Sequence, residues 1–186
     1  MNTKDTHALV KKYLAGKVYF EQDKTYDLLA AYVMSTWTEI KTPANMEIVA
    51  DAGSGHTTLI KEMFPVTCWS VDASQCTHAA LTTTVKDACY STIYFDAPEW
   101  MAFVAELNKF SPFVFVTHKG VQGRWLAQHG LQGSFVVRMM TGSRFMTDEI
   151  VPSAEEVKDA VLSWCGVEWV ADQRASVDRI LGMVAI

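Results

Sequence analysis

Three aspartates stand where apolar runs give way to polar turns: Asp51 in EIVADAGSGHTT, Asp72 in CWSVDAS and Asp96 in IYFDAPEW. A single acid in such a place is commonly the cap of the helix that follows. Three of them, ending successive strands, point to a ligand cleft shared along one edge of a sheet. The first is followed by Gly53 and Gly55, which let the backbone pass close to a ligand and take conformations that a side chain forbids. Amides at the start of the helix behind them favour negative charge or a hydrogen-bond acceptor. A phosphate loop of the form G-x-x-x-x-G-K-[ST] would carry a lysine after Gly55, where this chain has His56. The dinucleotide form G-x-G-x-x-G lacks its third glycine, because Thr58 stands there. An acid just before the turn repels a pyrophosphate and attracts a cation, so the expected ligand has an ammonium or sulfonium centre. A fourth run, PFVFVTHKG, closes on His118 and Lys119. Histidine titrates near neutrality, which makes His118 the candidate general base, and Lys119 the group to assist it or meet an anionic substrate.

The elements that must position these residues follow from hydrophobic period. Through about Lys41 the chain reads as helical, with Leu28, Leu29, Tyr32, Val33 and Trp37 at helical spacing, and Thr42-Pro43 ends it. Strands are expected at 47–52, 66–73, 91–97, 112–120 and 133–142, with helices across 57–64, 75–88 and after Pro98. Ser153 with Glu155 and Glu156 starts a further helix running to about Cys165, which Gly166 stops. VEWVADQ and DRILGMVAI read as two closing strands joined by a short segment, an antiparallel hairpin. The expectation is therefore one α/β domain over 1–186: an N-terminal helical segment, 1–45, and a core, 46–186, with a mostly parallel seven-stranded sheet and helices on both faces.

Composition narrows the class. With 186 residues, 49% hydrophobic and 20% charged, the chain suits one globular domain with a single core. A net charge of −5 argues against a surface that grips nucleic acid throughout, although all five arginines fall in the last third. The four cysteines lack paired zinc spacing and no metal is expected. Neither a signal peptide nor a membrane-length apolar run is visible, so the expected compartment is the cytoplasm. Tyr94, Trp100 and Trp125 could stack on a ring but more simply fill the core, as do Met139, Met140, Met146, Trp164 and Trp169.

Over roughly 46–186 the chain resembles the class I S-adenosylmethionine-dependent methyltransferases. IVADAGSGHTT is similar to their first motif, SVDAS to the second, and FDAPEW and PFVFVTHKG to the third and fourth. The resemblance implies a Rossmann-like fold and S-adenosyl-L-methionine as cofactor. Asp51, Gly53 and Gly55 would then hold its methionine part, Asp72 its ribose and Asp96 its adenine, while His118 and Lys119 lie beside the methyl group. LAQHGLQGSFVVRMM and RASVDRILGMVAI resemble the ribose 2′-O-methyltransferases of the FtsJ type. Carried over, Arg138 stands at the second lysine of their tetrad, Asp178 at the glutamate and His118 at the aspartate, with Lys17 or Lys12 for the first lysine. The implied function is methyl transfer to an oxygen or nitrogen of a small molecule, a protein or RNA. The alternative is a non-catalytic accessory module of the same fold acting with a partner subunit or as a homo-oligomer.

Overall fold

The computed structural model describes residues 1–38, 45–87, 92–96, 113–118, 135–143, 149–165 and 173–185. Helices α1 (Thr3–Lys17) and α2 (Asp23–Ser35) come first, then strand β1 (Met46–Ala50) and helix α3 (His56–Met63). Strand β2 (Ser70–Asp72), a short 3-10 turn, helix α4 (His78–Asp87) and strands β3 (Thr92–Asp96), β4 (Phe113–His118) and β5 (Phe135–Met139) follow. Helices α5 (Ala154–Trp164) and α6 (Gln173–Ala185) close the chain.

The strands form one sheet in the order β2-β3-β4-β1-β5, every neighbouring pair parallel. Five strands, not the expected seven, make up the sheet among the described residues, and the antiparallel C-terminal hairpin is not formed. The expected seven-stranded methyltransferase sheet is thus overturned. All of DRILGMVAI that the structure describes, 178–185, lies instead in α6, where Val177 and Ile180 are buried and Asp178, Arg179 and Met183 face outward. A short apolar run cannot tell strand from helix by period alone; here the buried residues recur three apart, and the helix wins. Of VEWVADQ only Gln173 is described, as the first residue of α6. The helix expected after Pro98, the Thr42-Pro43 break, Lys119, Trp100, Trp125, Trp169, Met146, Arg124 and Arg144 lie outside the described residues.

Local chemistry sets the helix ends. The Asn2 side chain accepts from the Asp5 amide at 2.8 Å to cap α1, and Ser153 with Glu156 forms a reciprocal capping box on α5. Helix α1 packs against α2, α3, α5 and α6, so it is the hub of the helical layer. Tyr13, Leu14, Tyr26, Leu29 and Met34 are buried there, and Tyr32 meets Phe135 of β5 edge-on at 6.4 Å between ring centres. Trp164 joins the layer by donating its indole N–H to Thr3 Oγ1 at 3.0 Å. Strand β1 is buried at all five positions, as befits the strand between β4 and β5. β5 alternates, with Phe135, Val137 and Met139 inward and Val136 and Arg138 outward, the pattern of an edge. No helix among the described residues is long and apolar enough to cross a membrane.

Candidate ligand site at the β1–α3 turn

Strand order decides where a ligand can sit. From β1 the chain crosses to the far edge at β2, returns strand by strand to β4, and then passes β1 to place β5 on its other side. Crossovers running in opposite directions must lie on opposite faces of the sheet if both are right-handed. The crevice of such a sheet opens at the carboxyl ends of the strands where the order reverses, here between β1 and β4; the cavity at the β1 turn lies on the other side of β1, toward the chain that follows β5.

The turn leaving β1 is pinned to β5. The Asp51 amide donates to the Met139 carbonyl at 3.1 Å, and Thr141 Oγ1 donates to the Ala52 carbonyl at 3.3 Å. The Ser54 amide returns to the Asp51 carbonyl at 3.1 Å, and the Leu59 amide to Gly55 at 2.9 Å begins α3. Gly53 and Gly55 hold φ of +76° and +88°, the left-handed region that glycine enters without steric cost. Gly55 is the N-cap of α3 and brings no side chain to cap its first turn. Ser54 lies between the glycines with 7% of its surface exposed, and its Oγ has no hydrogen-bond partner among the described residues.

These residues face a cavity of about 470 Å³. Gly53, Ser54, Gly55 and Thr58 line it, together with Lys12, Lys17, Tyr19 and Glu149. Tyr19 packs flat enough on Gly142 that a Cβ there would collide with its ring. Lys12 Nζ stands 3.5 Å from Glu149 Oε2, and Lys17 Nζ 4.0 Å from Glu62 Oε2. Glu62 already accepts from the Tyr13 hydroxyl at 2.6 Å, and burial, reinforced by that bond, raises the Tyr13 phenol above its ordinary range. Asp51 Oδ1 lies 3.8 Å from Arg138 Nη2, so the acid at the head of the turn is offset by a guanidinium.

The expected site residues are dispersed by register. Asp51, Gly53 and Gly55 form the turn, with Arg138 beside them. His118 pairs with Val49, and Asp96 stands across β4 from Ile48, both sharing Thr117 as partner. Asp72 is level with Met46 through Tyr94 and Phe115. It sits three strands from β1, roughly 14 Å across the sheet, and some five residues, roughly 16 Å, lower along it. Its carboxylate accepts from the Ser74 amide at 2.9 Å and the Ser74 hydroxyl at 2.6 Å, as the cap of the 3-10 turn. Asp72 is therefore not brought to the glycine turn. Asp178 is exposed on α6, which packs on α1 and α2. Tyr94 is fully buried, its hydroxyl 2.6 Å from Thr67 Oγ1, and is a core residue.

Ser54, Tyr19 and Glu62 escape sequence reasoning. No pattern in the chain shows that α1 returns to the turn, and a lone serine between glycines carries no signal of burial. Lys12 and Lys17 are visible only through the FtsJ resemblance, which offers one or the other for the first lysine of its tetrad. Compared with known proteins, the chain matches no family model and no curated protein.

Proposed function

We propose that this chain binds a nucleoside phosphate, with the phosphate on the β1–α3 turn and the base toward Tyr19. The buried, partnerless hydroxyl of Ser54 carries the reading. A buried polar group without a partner costs on the order of 1–3 kcal/mol; the hydroxyl is closed to solvent, and a phosphate oxygen would supply the missing acceptor once the turn opens to admit it. Two left-handed glycines at the start of α3, and two lysines around the same cavity against one carboxylate, Glu149, suit an anion. The cavity is of the size that small ligands occupy. Arg138 beside Asp51 removes the electrostatic argument for a cationic ligand, and the distance of Asp72 removes the ribose contact that S-adenosylmethionine would use. The function is binding; no reaction is assigned to it.

Titration calorimetry with ADP, ATP and S-adenosylmethionine in parallel tests the reading. Micromolar binding of the nucleotides is expected, weakened about fivefold or more in Ser54→Ala through loss of one hydrogen bond. The same variant should unfold at equal or higher denaturant, since it removes a hydroxyl that the empty protein leaves unpaired. Binding of S-adenosylmethionine alone would overturn the proposal and return the turn to the methyltransferase reading.

A further inference from the structure

The turn has no lysine of its own, yet α1 brings two lysines to the cavity it faces. Lys17 ends α1, and Lys12 lies five residues before it on the same helix. Neither is tightly held. Lys17 reaches Glu62 only at 4.0 Å, and that carboxylate is already bonded to Tyr13, whose ring lies 5.8 Å from the ammonium. Lys12 and Glu149 are both largely solvated at 3.5 Å. Exposed pairs of this kind contribute little, so an anion entering the cavity can take both lysines without breaking the fold.

Resting on the nucleotide reading above, we infer that Lys17 and Lys12 are the phosphate-binding cations of this site, supplied by the N-terminal helix in place of a lysine after Gly55. Two lysines five residues apart on one helix, lining the same cavity as the glycine turn, match an extended polyanion. The ligand class is thereby a di- or triphosphate rather than a monophosphate. A charged hydrogen bond to phosphate is stronger than a neutral one, and removing it from a half-enclosed site typically weakens binding tenfold to a hundredfold.

The test measures AMP, ADP and ATP binding to the full chain and to Lys17→Met, Lys12→Met and Lys17→Arg. The parent should prefer ADP to AMP by about tenfold or more, from the added charged contact. Lys17→Met should weaken ADP by about tenfold to a hundredfold while leaving AMP nearly unchanged. Lys17→Arg should keep most of the affinity, and all variants should share the parent's urea midpoint. A parent that binds no nucleotide would overturn both the site and this inference. A parent that binds ADP and AMP equally, or whose ADP affinity survives in both methionine variants, would overturn this inference alone and leave the turn as a site.

Discussion

Strands β1 and β2 both lead into a tight turn through an aspartate, Asp51 just after β1 and Asp72 at the end of β2, and the fold uses them in opposite ways. β1 lies between β4 and β5, is buried at every position, and sends its acid into a turn that faces a cavity. β2 is three residues long and half-buried at the far edge, and its acid is occupied in capping the turn behind it. The same short pattern is the proposed ligand site in one place and a helix-type cap in the other. What separates them is position in the sheet, and position is set by partners that lie elsewhere in the chain.

The largest break in this comparison should come from the core side of β1. Ile48→Ala removes a fully buried side chain from the central strand and is expected to cost about 2–5 kcal/mol in urea unfolding. Val71→Ala in half-buried β2 should cost about 1 kcal/mol or less. Equal losses would mean that the edge is as tightly packed as the centre. Asp72→Ala comes next: loss of the cap should cost about 0.5–2 kcal/mol of stability and leave nucleotide affinity untouched. A fall in affinity would return Asp72 to the site. The smallest effect belongs to Asp51→Asn. It removes a carboxylate and frees Arg138, so ADP binding should strengthen about two- to fivefold at low salt, and less at high salt. Weaker ADP binding in that variant would show that Asp51 acts for the ligand, not against it.

Much of the local order can be read directly from the residues. The apolar runs at 47–52, 91–97, 112–120 and 133–142 each contain a strand, and the Ser153–Glu156 box starts a helix where its spacing says it should. The turn at Gly53 and Gly55 is legible for the same reason, because glycine at close spacing after an apolar run has few other uses. The run at 66–73 holds only Ser70–Asp72 as strand, since Pro65 to Trp69 turn instead, with Trp69 itself at φ +46°. DRILGMVAI misleads because its buried period is short and its neighbours decide its state. Strand order is the larger gap. Placing β1 beside β2, as the family resemblance implies, makes three acids line one cleft; inserting β4 and β3 between them separates Asp72 from the turn. The pairing of Asp51 with Arg138 and the return of Lys12 and Lys17 to the turn are likewise products of long-range packing, which no local pattern prints.

The central place of β1 also shapes how the chain can be assembled. Met46 finds its two partners at Phe115 and Phe135, both far along the chain, and α1 and α2 rest on α5 and α6 at the other end. Closing such distant pairs is slow, and until it happens an apolar strand stays without neighbours. On the ribosome MEIVA would therefore emerge long before anything can shield its edges, and removing α6 would uncover the helices made first. The ligand turn, held by Met139 and Thr141, is completed only after β5 is synthesised. Binding competence should thus arrive late and all at once, with no shorter N-terminal fragment able to show it.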